Sequence, residues 1–397
     1  MSTRHSRRSF IGMLGGTGLA GFMPGSLAWA GSAADRLTAV VILRGALDGL
    51  AAVVPYHESE LDRWRRVLVP PAPGSEGGAL QLQTDGFALH PSLAFLHQAW
   101  QKKQLAVMHA ASSPYRNRSH FDGQDVLENG GAKVLASRDG WLNRALQKTE
   151  GGIEAAAIGG ALPMILRGDA HAVTWAPSSL PESDEDTMER LMRVYEDDEP
   201  LKLALQDAQS LDMAAGGVDG DAKAVARGRS YVPILQAGAN LMASGAAGVT
   251  VMSLSGWDTH NNQGAGSGQL ASRLQQLDQG LAVMKNTLGD KWDRTAVIVA
   301  TEFGRTVRVN GSRGSDHGTG SAAFLLGGAV KGGRMTGDWP GLAPSALYED
   351  RDLYPANDLR SLFKSVLRDH MGVSGKDLDG FVFPGSKAAA PIEGLIT

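Results

Sequence analysis

The chain contains no cysteine. That excludes disulfides, thiolate metal ligands, a cysteine nucleophile and a lipid-anchored cysteine. Aromatic residues make up only 6% of the sequence, too few for the stacking platforms that hold single-stranded nucleic acid. The formal net charge is −4, so no excess of positive charge draws the chain to a nucleic acid, and no nucleic-acid partner is expected. Beyond the first thirty residues no run is long and apolar enough to span a bilayer. What is present is 397 residues with 43% apolar and 20% charged side chains, the balance of a globular protein with a substantial core. The 51 glycines imply many tight turns.

The first thirty residues read as an address and not as fold. Ser6-Arg7-Arg8-Ser9-Phe10-Ile11 is a twin-arginine pattern, a glycine-rich apolar stretch runs from Ile11 to Leu27, and Ala28-Trp29-Ala30 puts small residues where an export peptidase cuts. Residues 1–30 are therefore expected to be a twin-arginine signal peptide. The partner implied is the twin-arginine export machinery, and the destination is the periplasm or the exterior. Residues 31–397 are read as one domain with no transmembrane span, carrying a helical insert across about 182–244.

Short apolar runs alternate with helical patterns. Leu37–Leu43, Leu105–His109, Pro163–Arg167, Ala172–Ala176, Val249–Leu254, Ala296–Ala300 and Ala322–Leu326 read as strands. Helices are expected over Leu93–Lys102 and Asp358–Met371, and from Leu270, where Leu274, Leu277, Leu281, Met284 and Leu288 continue one apolar face. Such alternation predicts a mostly parallel sheet covered by helices on both sides, an α/β fold. In such sheets ligands bind beyond the carboxyl ends of the strands. The polar residues just past the predicted strands are Arg44 and Asp48; Arg116, Ser119, His120, Asp122 and Asp125; Asp258 and His260; Glu302 and Arg305; and Asp316 and His317. Carboxylates with imidazoles are a sulfur-free ligand set for a divalent metal, and arginines suit a bidentate anion. Each residue also has a structural reading. Asp48 fits a turn, Ser119 a helix N-cap, Glu302 and Arg305 an ion pair, and His260 and His317 hydrogen-bonded core imidazoles. His57, His90, His97, His109, His171 and His370 lack comparable company and read as structural.

The segments RGALDG, RSHFDGQD, GWDTHNNQG, TEFGRT, SDHGTG and GDWPGL, together with the leader, resemble the exported bacterial family known as domain of unknown function 1501, over about residues 37–385. That family in turn resembles the alkaline phosphatase-like superfamily of phosphatases and sulfatases. The resemblance implies a three-layer α/β/α sandwich with one or two divalent metal ions (zinc, manganese or magnesium) and no nucleotide cofactor. It implies Asp48, Asp258, His260, Glu302 and His317 as metal ligands, Ser119 as nucleophile and Arg305 as a catalytic anion-binding group. Arg44, Arg116, His120, Asp122 and Asp316 are left to orient the ligands or bind the anion.

Three departures from the superfamily pattern stand out. Phe303 follows Glu302 where the superfamily has a metal-binding histidine. The Asp258-x-His260 spacing is tighter than in phosphatases. The nucleophile is open between Ser119 and Ser112, the latter in Ser112-Ser-Pro-Tyr-Arg116, which loosely fits a sulfatase pattern. The expected activity is metal-dependent hydrolysis or transfer of a small phosphate or sulfate ester. The alternative is an exported binding or envelope-assembly protein that keeps the fold without catalysis.

Overall fold

The computed structural model describes residues 35–83, 86–177, 185–216, 218 and 222–397. The expected signal peptide lies outside the described residues. In chain order the strands are β1 (Leu37–Arg44), β2 (Val53–Pro55), β3 (Leu80–Gln81), β4 (Phe87–Leu89), β5 (Leu105–Ser112), β6 (Ala155–Ile158), β7 (Ala172–Trp175), β8 (Val249–Ser255), β9 (Thr295–Thr301), β10 (Ser321–Leu326), β11 (Arg334–Thr336) and β12 (Asn357–Asp358). Strands β2, β4 and β3 form a small antiparallel sheet. The others form one large sheet in the order β11-β5-β10-β9-β1-β8-β6-β7, with β12 also on β5.

The large sheet is buried on both faces, and the alternation within each strand shows how. Ala39, Val41 and Leu43 of β1 point into one core, while Val40 and Ile42 point into the other. Val297 and Val299 of β9 go with the first set, Ala296, Ile298 and Ala300 with the second. A period of two splits a continuous apolar run between two helical layers. On the first face lie the helices Tyr231–Ser244 and Gln269–Leu288, the latter presenting Leu274, Leu277, Leu281 and Met284 as its spacing predicted. On the second face lie Trp141–Leu146 and Leu359–Asp369, where Trp141 stacks on Phe363. The result is a three-layer α/β/α sandwich around a mostly parallel sheet.

One expected strand is corrected, one strand was not expected, and the expected helical region resolves into separate helices. Residues 163–167 contain a single 3-10 turn, Met164–Leu166, and no strand, because Glu128 Oε2 takes the Ile165 amide at 3.1 Å and no ladder is needed. The strand next to β8 is instead β6, whose Ala155-Ala156-Ala157 lacks the β-branched signature of a strand. The helical region over 182–244 contains Glu185–Val194, Glu199–Ala215, Ala222–Ala226 and Tyr231–Ser244. The last of these belongs to the core, with Ile234, Leu235, Leu241 and Met242 buried.

Strands β1, β8 and β9 run parallel, and β10 runs antiparallel to both β9 and β5. The carboxyl ends of β1, β5, β8 and β9 therefore open on the same edge of the sheet. The start of β10 joins them there, so residues that precede β10 reach the same place as residues that follow the other strands. No described helix is long and apolar enough to cross a membrane.

Two buried histidines outside that edge set an acid limit on the fold. Burial lowers the pKa of His109 and of His370, each to about 4, against the opposing hydrogen bonds to Val53 O and Leu37 O. Each is neutral when folded and protonates near 6.5 when unfolded, so its stabilisation is complete above about pH 6.5 and is lost as pH falls toward 4. The loss is on the order of 3 kcal/mol for each ring. Urea denaturation at pH 7 and pH 4.5 measures it. His370→Gln, which keeps a donor for Leu37 O but cannot titrate, is expected to show a clearly shallower fall than the parent; an equal fall would refute the assignment.

Candidate metal centre

The centre is built around Asp258, which β8 delivers three residues past its end. Gly45, at the end of β1, makes the approach feasible. Its φ is +119°, and a β-carbon there would stand 2.6 Å from the Asp258 amide nitrogen. Its amide donates to Glu302 Oε1 at 2.8 Å, which joins the ends of β1 and β9.

Three imidazoles surround Asp258. His120, in the first turn of the helix His120–Asn129, directs Nδ1 to Glu302 Oε1 at 2.8 Å, and its Nε2 lies 3.5 Å from Asp258 Oδ2. His260 directs Nδ1 to Asp316 Oδ1 at 3.0 Å, and its Nε2 lies 3.0 Å from Asp258 Oδ1. His317 directs Nδ1 to Arg118 O at 2.9 Å, and its Nε2 lies 3.2 Å from Asp258 Oδ1. Nitrogens of His120 and His317 and an oxygen of Asp258 all lie within 4.8 Å of one another.

The outer partners fix the tautomers. A carbonyl and ionised carboxylates only accept, so each Nδ1 must carry the hydrogen. In the neutral form each ring then turns a bare Nε2 lone pair inward. Those of His260 and His317 face each other at 3.0 Å. Nε2 of His120 is buried with no hydrogen-bond partner among the described residues. Two lone pairs at that separation beside a carboxylate repel unless a cation, a proton or a metal, stands among them. A histidine whose other nitrogen donates to a carboxylate or carbonyl is the usual arrangement around a bound metal. The donor set, imidazole nitrogen with carboxylate oxygen, suits zinc, and His120, Asp258 and His317 with His260 beside them are the residues that fit it.

The electrostatics point the same way. Burial raises the Asp258 carboxyl pKa, but hydrogen bonds from His120, His317 and Arg305 outweigh it and hold the pKa far below the usual range. Burial lowers the pKa of His120, but hydrogen bonds to Asp258 and Glu302 outweigh it and raise the pKa to about 9, so without a metal a proton on Nε2 is the cation that faces Asp258. Burial likewise raises Glu302, and the hydrogen bonds from His120 and the Gly45 amide turn the shift downward. The site favours positive charge.

Phe303 has a structural role here. Its ring stacks on His120 at 5.0 Å and 20°, and lies 5.5 Å from that of His317. It braces two inward-facing imidazoles where the pattern led one to look for a third.

Other expected residues are placed elsewhere. Asp48, expected as a ligand, is buried and its carboxylate is committed to other partners. It ion-pairs with Arg65, accepts from Gln263 Nε2 at 2.6 Å, and caps a short helix through Ala51 N. Glu302, also expected as a ligand, is spent as an acceptor. Oε1 takes Gly45, His120 and Gln124, and Oε2 takes the Thr301 hydroxyl at 2.9 Å, so it orients His120 from behind. Arg305, expected to bind an anion, is buried with its guanidinium on Asp258 Oδ1 and on Ser315. Arg116 is turned onto the Ser112 hydroxyl and the carbonyls of Ser113 and Tyr115. Arg44 pairs with Glu128 at 2.8 Å and with Gln124. Asp122 accepts from Tyr115 Oη at 3.2 Å. Asp125 accepts from Asn129 Nδ2 and Leu135 N.

Ser119 occupies the N-cap position directly before His120, without a capping bond from its side chain. Ser112, in contrast, is buried with its hydroxyl donating to Ser113 O. Asp316 does orient His260, and Asn310 Nδ2 holds the same carboxylate oxygen at 3.0 Å. His120 is the surprise, since it faces Asp258 directly. Two supporting residues escaped the sequence reading. Gln124 bridges Arg44 to Glu302, and Arg118 supplies a carbonyl to His317 while its own side chain holds Asp352 at 2.7 Å. Both stand in RSHFDGQD, the segment that also carries His120.

This geometry separates two acidic residues that look alike in sequence. Glu302→Gln removes the charge that holds His120 and should weaken zinc binding by about tenfold to a hundredfold. Asp48→Asn leaves Arg65 as a buried unpaired charge and should cost about 3–5 kcal/mol of stability, with zinc affinity changed less than in Glu302→Gln. Zinc titration and urea denaturation of both variants test the division, and the reverse pattern would overturn it.

The chain belongs to the family described as Protein of unknown function (DUF1501), which matches residues 66–382. No curated protein matches it. Three solved structures are similar at low identity. One is the C-terminal periplasmic domain of EcEptC from Escherichia coli in complex with zinc, with 9% identity, 74% of this chain and 72% of that one covered, and a TM-score of 0.36. Another is the phosphonate monoester hydrolase of Agrobacterium radiobacter, with 11% identity, 85% and 74% covered, and a TM-score of 0.31. The third is a mutant of the alkaline phosphatase PafA, with 10% identity, 68% and 64% covered, and a TM-score of 0.29.

Proposed function

We propose that the chain is a hydrolase or transferase of phosphate or sulfate esters that depends on one divalent metal ion, zinc, held by His120, Asp258 and His317 with His260. The observation that carries this reading is the convergence of inward Nε2 atoms on Asp258, with every outer nitrogen already committed. When bound, such an ion would polarise an ester oxygen or acidify a hydroxyl. Imidazole-rich ligation favours zinc over magnesium, which prefers oxygen.

The chain's own residues would do the rest. Glu302, Asp316 and the Arg118 carbonyl hold the three rings in one tautomer and one orientation. Arg305 neutralises part of the Asp258 charge from the buried side. Ser119 is the better-placed nucleophile of the two serines, because the helix it opens begins with His120 and its hydroxyl is not spent on capping. Export through the twin-arginine route, with a periplasmic or secreted destination, is part of the same proposal and rests on residues 6–30.

One observation favours the non-catalytic reading. Arg44, Arg116 and Arg305 are all engaged with protein groups, which leaves the expected anion clamp unsupported.

Metal analysis of purified protein, followed by turnover of 4-nitrophenyl phosphate and 4-nitrophenyl sulfate, decides between them. About one zinc ion per chain is expected, lost in Asp258→Asn. Ser119→Ala should keep the zinc and lower turnover by at least about a hundredfold. A protein that binds no divalent ion, or binds zinc and turns over neither ester nor any close analogue, would leave the binding-protein reading in place.

A further inference from the structure

A second concave feature opens at the same edge of the sheet, beside the metal centre and not within it. It is a cleft of about 620 Å³ between the end of β6, the loop that follows it, and the turn at Arg227-Gly228. None of His120, Asp258, His260 and His317 lines it. Its volume is in the range of small-molecule sites.

The lining has two characters. Ile158, Met164 and Phe121 give it an apolar wall, and Phe121 is 89% exposed although it follows His120 directly in the helix. Arg44, Arg167 and Arg227 bring three positive charges, against Asp125 and Glu128. Those charges are unequally spent. Glu128 is neutralised by Arg44 and also takes the Ile165 amide. Asp125 is turned to Asn129 and to the Leu135 amide. Arg167 uses only Nε, on Leu162 O at 3.3 Å, and Arg227 has no side-chain partner among the described residues.

The position of Arg227 is fixed by backbone. Gly228 has φ +69°, and a β-carbon there would come 2.5 Å from Ser253 O. Its carbonyl accepts from Ser255 N at 2.7 Å, which fastens the turn to the end of β8. Two guanidinium groups with spare donors, next to an apolar wall, match an anion that carries an apolar group.

We propose that this cleft binds an amphiphilic anion, an apolar body bearing a phosphate or sulfate, with the anionic group on Arg167 and Arg227 and the apolar body against Ile158, Met164 and Phe121. The site stands whether or not the metal centre is catalytic. Its nearest link to that centre is Gln124, which lines the cleft and hydrogen-bonds Glu302 behind His120.

Isothermal titration of the purified protein with 1-naphthyl phosphate, and separately with inorganic phosphate, tests the proposal. One naphthyl phosphate per chain is expected, with inorganic phosphate weaker by about tenfold or more. Arg167→Gln with Arg227→Gln should weaken naphthyl phosphate by about tenfold or more, with an unchanged melting temperature as the check on folding. Metal-free Asp258→Asn should bind it as the parent does. Loss of binding in Asp258→Asn would place the ligand on the metal centre instead. Undiminished binding in the arginine double variant, equal binding of inorganic phosphate, or no binding of naphthyl phosphate would each overturn the proposal. 1-Naphthyl phosphate is itself an ester that the proposed metal centre would bind and cleave, so the stoichiometry and the arginine comparison are read in the metal-free Asp258→Asn chain, and failure here and failure of the metal-dependent reading are then separate results.

Discussion

Three imidazoles cannot turn bare nitrogens toward one carboxylate and toward each other without a cation among them. That constraint organises this edge of the protein. Each ring is committed on its outer side to a group that can only accept, Glu302, Asp316 or the Arg118 carbonyl. The inner nitrogens are therefore left as donors of electron pairs, and Asp258 stands where they meet. In water such rings would rotate or protonate independently. Here Phe303 stacks under His120, and a strand-like bridge between Arg305 and His317 restrains the third ring. Preorganisation of this kind lowers the cost of ordering ligands when an ion arrives.

The topology explains why residues so far apart in sequence meet. Parallel strands β1, β8 and β9 end together, so Gly45, Asp258 and Glu302 are neighbours once the sheet forms. The antiparallel β10 begins at the same edge, which is why His317 reaches the centre from a segment that precedes a strand. Gly45 is the joint. Its missing side chain lets the β8 exit pass close, and its amide engages Glu302.

The sheet and its two helical layers were legible because they rest on periodicity, which a sequence carries directly. The runs around Val40, Val251 and Ile298 are mostly apolar on both faces, with Thr38, Thr250 and Ser253 as the polar exceptions, as suits strands buried on both sides. β6 was not legible, because its three alanines carry no strand preference and owe their conformation to the neighbours on either side. At the site, Asp258, His260 and His317 were readable as candidate ligands from their place past strand ends. What could not be read was which partner each polar group would find. Asp48 and Glu302 look like Asp258 in sequence, yet one meets Arg65 and the other meets Gly45, Gln124 and His120. His120 reads as secondary in sequence because it directly follows Ser119, a hydroxyl at a helix start. Only the direction of the helix shows that its ring turns inward.

The fate of Asp48 also bears on the charge balance of this edge. Its carboxylate is neutralised by a fully buried guanidinium, and Arg65 is itself held by the carbonyls of Thr306 and Val307 at 3.0 and 3.3 Å. Removing either member of the pair would leave the other as an uncompensated buried charge. The pair is tied to the centre. Gln263 donates to Asp48 and accepts from the Ser315 hydroxyl, Ser315 accepts from Arg305, and Arg305 rests on Asp258. The Arg65–Asp48 pair thus reaches Asp258 through three hydrogen-bonded side chains, Gln263, Ser315 and Arg305. The charge that gathers three imidazoles around Asp258 is thereby coupled to a buried guanidinium on the far side of Gln263.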